Sequence, residues 1–333
     1  MGFLLRRLAL LVPVLLVVSF LTFMLMTMLP GGPEVNFLGP QAVQDLSICD
    51  DPELDLNTRT ACEDTIKIRE ELNLDDPLLV RYFTWLGNAV QGDFGDSVIT
   101  GVPVSQTISE RLPTSIALML YAQAIALLIA IPVGIISAYR ANGVLDKSTT
   151  GLSFALIALP SFVLALVLLF IFGNKLGWFP TRYDIDAAFR DKAKAMFLPA
   201  LTLGLGLAAV YQRLLRTDLV ATLHEDFIFM AKAKGIPARR ILFRHALRPS
   251  MFSLITVVGI QVGALIGGAI VVEQIFLVPG LGLVITEGIL RREFQIVQAS
   301  VLVITFVYVM VNFVVDILYG FLDPRVRHAR SAR

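Results

Sequence analysis

Long apolar stretches separated by charged loops are the feature that most constrains the fold of this 333-residue chain. Six stretches are long enough to cross a hydrocarbon core of about 30 Å as helices of about 20 residues. They cover approximately residues 8–29, 113–139, 148–173, 197–212, 250–272 and 297–321. The composition agrees, since 56% of the residues are hydrophobic, 17% are charged and the mean hydropathy is +0.74. The sequence therefore predicts an all-α polytopic membrane protein.

The number of crossings depends on the fourth stretch. Gly204 and Gly206 interrupt it, and it is short before Arg213. Five or six crossings fit the pattern, and we predict six. The first stretch is expected to be a retained helix, because its apolar run of about 22 residues exceeds the 7–15 residues typical of a signal peptide.

Basic residues near the ends of the stretches predict the orientation, because cytoplasmic loops carry an excess of Lys and Arg. Arg6 and Arg7 precede the first stretch, and the loop 213–249 holds eight basic and three acidic residues. Region 31–112 holds fifteen acidic and five basic residues, which suits the outside, although the loop 174–196 carries five basic residues where an external loop is expected. The predicted order has four parts. A first helix with a cytoplasmic N-terminus covers residues 1–30, and an extracytoplasmic loop region covers 31–112. A five-helix core that contains the cytoplasmic loop 213–249 covers 113–321, and a basic cytoplasmic tail covers 322–333.

The chain has two cysteines, Cys49 and Cys62, and both fall in the predicted extracytoplasmic region. Outside the cytosol they can pair and close a ring of about 14 residues, worth about 3 kcal/mol in the loop-entropy model. Two free thiols are the alternative, because the sequence does not fix the Cα separation. We expect the disulfide.

The same region contains one further helix with an apolar stripe. Asp76 and Pro77 can begin it, and the apolar side chains at helical spacing are Leu78, Leu79, Tyr82, Phe83, Leu86 and Val90. Such a stripe fits a helix on the membrane surface or a helix packed against protein, and we favour packing.

Residues 226–249, between the fourth and fifth stretches, have a helix–bend–helix pattern that we call the elbow. A helical run is expected to stop at Gly235, which can take a positive φ, and a second helix can begin at Pro237. The elbow carries six basic side chains: Lys232, Lys234, Arg239, Arg240, Arg244 and Arg248. The charge fits a lever gripped by a soluble cytoplasmic partner, and it equally fits an ordinary positive-inside loop.

The spacing within the elbow resembles the EAA cytoplasmic loop of ABC-importer permeases, in which an alanine pair precedes a glycine and Ile-x-Leu-Pro follows nine residues later. Ala231, Gly235 and Leu247 occupy matching positions. This sequence departs from the motif at four positions. Phe229 and Met230 stand where the motif has Glu and the first Ala, and His245 stands where it has Ile. Arg248 occupies the position of the Pro, and Pro249 follows one residue later. The sequences Ala-Lys-Ala-Lys-Gly and Arg-His-Ala-Leu-Arg are similar to those of the dipeptide and oligopeptide branch of the family. Nickel-uptake permeases share these sequences.

A second segment, 273–282, joins the fifth and sixth stretches. It is too polar for lipid and too apolar for a free loop, which fits a re-entrant turn lining a cavity. The segment contains the motif Val-Glu-x-x-Phe-x-x-Pro-Gly-Leu-Gly, which resembles a motif of peptide permeases. The resemblance implies a position near the external gate. The candidate gate residues are Glu273, Phe276, Pro279, Gly280 and Gly282. Among them, the ring of Phe276 is the expected plug.

The resemblance covers residues 1–33 and 70–328, and residues 34–68 look like an insertion. It implies a type I ABC importer permease with six helices, which translocates dipeptides or oligopeptides, or nickel or another small solute, across the bacterial cytoplasmic membrane. The implied partners are a second related permease, two ABC ATPase subunits or domains that bind ATP and Mg²⁺, and an extracytoplasmic solute-binding protein. The implied ATPase-coupling residues are Ala231, Lys234, Gly235, Arg239, Arg240 and Leu247.

Three other classes fit the residues less well. An enzyme is disfavoured because His224, His245 and His328 all lie in predicted cytoplasmic segments, and because no phosphate-binding loop is present. We therefore expect no catalytic or metal site, no cofactor on this chain and no nucleic-acid partner. An ion-coupled carrier would need several intramembrane charges, whereas Asp316, beside Asn312, is essentially the only one. A signalling receptor would need an output domain.

Overall fold

The computed structural model describes residues 2–28, 49, 56–71, 75–97 and 99–322, and the long elements in that part of the chain are helices. They are, in chain order, α1 (Gly2–Thr27), α2 (Leu56–Glu71), α3 (Leu78–Val90), α4 (Val104–Tyr139), α5 (Val144–Ala158), α6 (Ser161–Leu168), α7 (Phe189–Leu223), α8 (Asp226–Ala233), α9 (Ala238–Arg240), α10 (Leu247–Phe276), α11 (Leu281–Leu290) and α12 (Phe294–Leu322). Two π-helical segments, Leu169–Lys175 and Ile241–Ala246, follow α6 and α9. The predicted all-α architecture is confirmed.

The chain divides into two compact units. The first comprises Met1–Pro113 and Leu283–Val307, and the second comprises Thr114–Gly282 and Tyr308–Arg333. In the second unit, the main hydrophobic cluster draws its buried side chains largely from α4, α7 and α10. This unit contains both the elbow and segment 273–282, so the same helices position both candidate sites.

The apolar helices account for several membrane crossings. Four of the described helical segments are long and apolar enough to span a bilayer: Val104–Tyr139, Phe189–Leu223, Ala238–Gly263 and Phe294–Val315. Two bent pairs raise the number to six if each pair is one span: Val144–Ala158 with Ser161–Lys175, and Leu265–Phe276 with Leu281–Leu290. In α1, the apolar part Leu11–Thr27 is shorter. The polytopic prediction holds, with a different assignment of individual spans.

The third predicted stretch, 148–173, is not one straight helix. It is broken between α5 and α6 by a bend of 104°. Leu159 at the break has extended dihedrals, φ −80° and ψ 122°, because the ring of Pro160 disfavours the helical conformation in the residue before it.

The fourth predicted stretch, 197–212, lies inside the much longer helix α7. Residues 213–223, expected in the cytoplasmic loop, are therefore helical. Gly204 does not interrupt the helix. A Cβ there would lie 2.9 Å from the carbonyl oxygen of Ala122 on α4, so the glycine permits close packing of two helices. Helix α4 is also longer than predicted, since it begins at Val104 and not near residue 113.

Glycines along α10 have the same packing role. A Cβ on Gly259 would overlap the side chain of Val315 on α12, and one on Gly263 would lie 3.0 Å from the ring of Tyr308. On the same helix, Gly268 approaches Leu203 of α7, whereas a Cβ on Gly267 would meet no atom within 4 Å.

Two predictions about region 31–112 have different outcomes. The structure joins Cys49 to Cys62, on α2, in a disulfide with a Cα–Cα distance of 5.7 Å. The stripe of α3, in contrast, is packed over only part of its length. Tyr82 is buried and Leu78 and Leu86 are half-buried, whereas Leu79, Phe83 and Val90 are exposed. The side chain of Asp316, residues 29–48 and the tail from residue 323 onward lie outside the described residues.

Candidate functional site

The elbow begins three residues after α7 ends and turns at Gly235. Helix α8 stops at Ala233, and Gly235 has a φ of +73°, in the left-handed region that favours glycine. The amide of Gly235 donates to the carbonyl of Lys232 at 2.9 Å, and the amide of Ile236 donates to the carbonyl of Ala231 at 3.2 Å. A Cβ on Gly235 would meet no atom within 4 Å. The glycine is therefore required by the backbone conformation and not by packing.

The second arm of the elbow is not a regular α-helix. Pro237 precedes the single turn α9, which continues as a π-helix over Ile241–Ala246 before α10 begins. Pro249 follows shortly afterwards and lacks the amide that an α-helix would bond to the carbonyl of His245. The wider π-helical turn accommodates the chain at this point.

One side of the elbow is anchored in the protein. Seven buried apolar residues form a small cluster beneath it: Ala138 of α4, Leu219 of α7, Ile228 and Ala231 of α8, and Ile241, Leu242 and Ala246. The implied coupling residue Ala231 thus faces inward, and Leu247 packs against the main cluster. The elbow is therefore packed against the ends of α4 and α7.

The other side of the elbow exposes aromatic and cationic side chains. Phe229 and Met230 are 53% and 60% exposed, and Phe227 and Phe243 are exposed as well. The ammonium of Lys232 lies 5.2 Å from the ring centroid of Phe229. The exposed basic residues of the elbow are Lys232, Lys234, Arg239, Arg240, Arg244 and Arg248. Aromatic anchors rimmed by charge are suited to burial against another protein.

Segment 273–282 forms a tight turn between α10 and α11. Helix α10 ends at Phe276, Leu277 adopts a left-handed φ of 52°, and the amide of Val278 donates to the carbonyl of Glu273 at 2.9 Å. The flanking helical segments Leu265–Phe276 and Leu281–Leu290 are bent by 75°. A bend of this kind is found both in a broken membrane span and in a re-entrant turn, so the re-entrant turn stays a prediction.

The carboxylate of Glu273 holds this turn closed from within. Glu273 is 1% exposed and accepts hydrogen bonds from the Ser115 hydroxyl and the Gly282 amide, both at 2.7 Å. Ser115, on α4, in turn accepts a hydrogen bond from the amide of Leu281 at 2.8 Å. A Cβ on Gly280 would overlap the carboxylate. The predicted gate residues Glu273, Gly280 and Gly282 are therefore brought together, because the two glycines leave room for the acid.

Phe276 is buried in the main hydrophobic cluster. In the sequence it lies between the predicted gate residues Glu273 and Pro279. It shares that cluster with Leu118 of α4 and with Val272 and Val278. The ring is therefore packed core in this conformation, and its role as a plug stays a prediction. Pro279 lies within the same turn, between α10 and α11.

An ion pair that the sequence reasoning missed ties α5 to α7. Arg216 donates from Nε and from a terminal nitrogen to the two oxygens of Asp146, at 3.0 and 2.6 Å. The Asp146 side chain is only 4% exposed, and one of its oxygens also accepts the amide of Asn142 at 2.8 Å. Nearby, Gln212 of α7 accepts a hydrogen bond from Ser153 of α5. Both charges lie outside the predicted apolar stretches and are 70 positions apart in the chain, so no pattern in the sequence indicated the pair.

Metal ligation is a separate question. In the part of the chain that the structure describes, no group of three or more His, Cys, Asp or Glu residues is placed to hold a metal ion. The buried carboxylates of Glu273 and Asp146 are instead engaged in hydrogen bonds and an ion pair.

Comparisons with known proteins add independent findings. Residues 130–328 match a family model described as the binding-protein-dependent transport system inner membrane component. The chain is 34% identical over 332 residues to the oligopeptide transport system permease protein AppB of Bacillus subtilis strain 168, with 98% of this chain and 99% of that protein covered. It is 34% identical over 328 residues to the glutathione transport system permease protein GsiC of Escherichia coli K12, with 98% and 99% covered.

A solved structure supports the fold. The MetNI methionine ABC transporter in an inward-facing conformation matches with a TM-score of 0.55 and 13% identity, over 66% of this chain and 97% of the matched chain. At that identity the likeness concerns the fold alone.

Proposed function

Because the chain belongs to the family of binding-protein-dependent transport system inner membrane components, we propose that it is the permease subunit through which an ABC importer moves peptides across the bacterial cytoplasmic membrane. The observation that carries this proposal is the similarity to AppB along nearly the whole of both chains. Two relatives named for oligopeptide and glutathione transport support a peptide as the solute. The chain is a multi-pass membrane protein and a transport component.

The elbow is the proposed docking site for an ATPase subunit. Its exposed side offers Phe229 and Met230 with surrounding cations, and its buried side is fixed to α4 and α7. ATP and Mg²⁺ bind the partner subunits, whose closure pulls the elbow and changes the conformation of the attached helices. The complete importer contains a second related permease, two ATPase subunits or domains and an extracytoplasmic solute-binding protein. The turn 273–282 acts as the gate on the extracytoplasmic side.

Uptake by the reconstituted importer tests the function directly. The complex of this chain with its partner subunits is placed in liposomes containing ATP, and the loaded solute-binding protein is added outside. We expect ATP-dependent uptake of labelled di- or oligopeptides. Uptake of nickel without peptide uptake would assign the chain to the nickel branch, and uptake driven by an ion gradient without ATP would contradict the importer.

Replacing Gly235 with valine is expected to uncouple ATP hydrolysis from transport. A side chain in the left-handed region costs about 1–2 kcal/mol, and a β-branched side chain costs more. This cost lowers the population of the bent conformation, relative to other conformations, by about 5- to 30-fold. Because the space around Gly235 is open, the effect is conformational. The measurement is peptide transported per ATP hydrolysed.

Asparagine at the same position is the matched control, because it tolerates a positive φ. Gly235→Asn should retain most of the coupling, and both variants should assemble with the ATPases. Wild-type transport by an assembled Gly235→Val complex would remove the elbow from the coupling mechanism.

Thiol labelling checks the proposed orientation, with both termini cytoplasmic. Cysteines are introduced singly at Asp96 and Lys234, both of which are exposed. The native Cys49 and Cys62 form a disulfide and stay silent without reductant, so the wild-type chain is the control. In intact cells an impermeant maleimide should label position 96 and not position 234. Labelling at 234 before lysis would invert the topology.

A further inference from the structure

Helix α3 presents apolar side chains to its surroundings along most of one side. Phe83 is 63% exposed and Val90 is 81% exposed, and Leu79 and Val80 are exposed as well. Its polar residues Arg81, Thr84 and Asn88 recur at intervals of three and four, so they form a stripe of their own. The described residues of the chain leave this apolar side uncovered, and an amphipathic helix with such a side is typical of segments that lie in a membrane interface.

The position of α3 is fixed by its contacts with α1. The hydroxyl of Tyr82 lies 2.8 Å from Oγ of Ser19 and 3.2 Å from the carbonyl oxygen of Leu16, and Ser19 and Tyr82 are both buried. The ring of Tyr82 meets the rings of Phe20 and Phe23 edge-on, with centroid distances of 5.1 and 5.6 Å. The contacts therefore extend over residues 16–23 of α1.

These contacts place α3 at the depth of the lipid hydrocarbon. Residues 16–23 precede the end of α1 at Thr27 by four to eleven positions, which is about 6–17 Å along a helix axis. The hydrocarbon core is about 30 Å thick, and Arg6 and Arg7 mark its cytoplasmic edge. A helix of 13 residues, about 20 Å long, is too short to cross it. With the N-terminus of α1 in the cytoplasm, α3 lies in the outer half of the membrane.

A groove between α1 and α3 opens at the same depth. Its volume is about 330 Å³, and the residues that line it are Leu16, Val17, Phe20, Leu21, Leu79, Tyr82 and Phe83. The hydroxyl of Tyr82, the one side-chain polar atom among them, is already engaged by Ser19. A groove with no free hydrogen-bonding group, continuous with the exposed apolar surface of a membrane helix, suits a hydrocarbon chain.

We propose that α3 is an in-plane helix of the outer leaflet and that the groove between α1 and α3 binds an acyl chain of a membrane lipid. The proposal rests on the proposed orientation of α1 and is independent of the transported solute. Region 31–112 is then not wholly an aqueous loop, because α3 anchors it in the bilayer between the disulfide-bearing helix α2 and the start of α4.

Spin labelling of the full chain in lipid nanodiscs, and of the assembled importer, tests the proposal. Nitroxides are attached to single cysteines at Phe83, in the groove, at Asn88, on the polar stripe, and at Asp96 as the aqueous reference. Collision rates with oxygen, which concentrates in hydrocarbon, and with a water-soluble nickel chelate are then compared. We expect the oxygen-to-nickel ratio at position 83 to exceed that at position 96 several-fold in both preparations, with position 88 between them.

Each other outcome identifies a different occupant and overturns the proposal. A low ratio at position 83 would place α3 in water. Protection of position 83 from both reagents in the chain alone would show that residues of this chain cover the groove. Protection that appears only in the assembled importer would show that the second permease covers it. The substitutions lie on exposed positions, and elution as a single folded species is the control for integrity.

Discussion

Replacing Arg216 with alanine is expected to destabilise the protein by about 1–3 kcal/mol, because it removes two hydrogen bonds from the carboxylate of Asp146. The bidentate geometry and the burial of Asp146 distinguish this pair from surface ion pairs, which contribute about 0–1 kcal/mol. Since α7 leads directly to the elbow, the loss also frees the helix that carries it. The measurement is the free energy of unfolding in mixed micelles.

Two further variants separate lost charge from lost packing. Arg213, one turn earlier on α7, is exposed and lies 5.1 Å from the ring centroid of Phe154, so Arg213→Ala should cost about 0.5–1 kcal/mol. Replacing the pair together by Asp146→Leu and Arg216→Met should restore most of the stability, because apolar pairs of similar volume often equal a buried ion pair. If Arg216→Ala is as mild as Arg213→Ala, the pair does not brace α7.

A single methyl group at Gly282 is expected to keep the turn between α10 and α11 from closing. The added Cβ would lie 2.6 Å from the Cα of Ile270 and 2.9 Å from an oxygen of Glu273. Overpacking against side chains costs about 1–3 kcal/mol, and a backbone atom has less freedom to move aside. Displacing the carboxylate also breaks its hydrogen bond from the Gly282 amide. Folded yield and thermal stability after purification measure the effect.

Other glycines supply the matched controls. Gly267→Ala, in the middle of α10 with open space around it, should be neutral or stabilising by up to about 1 kcal/mol through helix propensity. The three atoms nearest to a Cβ on Gly280 all belong to the Glu273 carboxyl group, so shortening that side chain with Glu273→Asp should relieve part of the defect of Gly280→Ala. The same shortening should not rescue Gly282→Ala. Equal behaviour of Gly282→Ala and Gly267→Ala would contradict the described turn.

The sequence predicts the helices better than it predicts their ends. Hydropathy detects only the apolar middle of α4 and α7, whereas both helices continue into polar segments where hydrogen bonding sustains them without any apolar signal. The break at Pro160 was visible as a proline in an apolar run, but the bend of 104° depends on packing that a single sequence does not encode. In α3, the sequence showed the helical spacing of the apolar residues but not what surrounds them.

For the candidate sites, local requirements were predictable and distant pairings were not. The positive φ of Gly235 follows from a glycine that ends a helix, so the bend could be located in advance. Glu273 and Ser115 are 158 positions apart, and Arg216 and Asp146 are 70 apart, so no spacing connects them. In the sequence, Phe229 and Met230 were noted only as departures from a motif. Their exposure could not be predicted, because it depends on which neighbouring side chains form the buried cluster on the other side of the elbow.

The length of α7 has a mechanical consequence. Its 35 residues form one continuous helix from Phe189 to Leu223, which is about 52 Å from end to end. A rod of this length that pivots at one end by about 5° moves its other end by about 4–5 Å, close to one helical turn. In the proposed mechanism, a small displacement at the elbow would therefore produce a larger displacement at the opposite end of α7. Because Pro199 lies inside α7 and removes one backbone hydrogen bond, this amplification requires the surrounding packing to keep the helix rigid at that point.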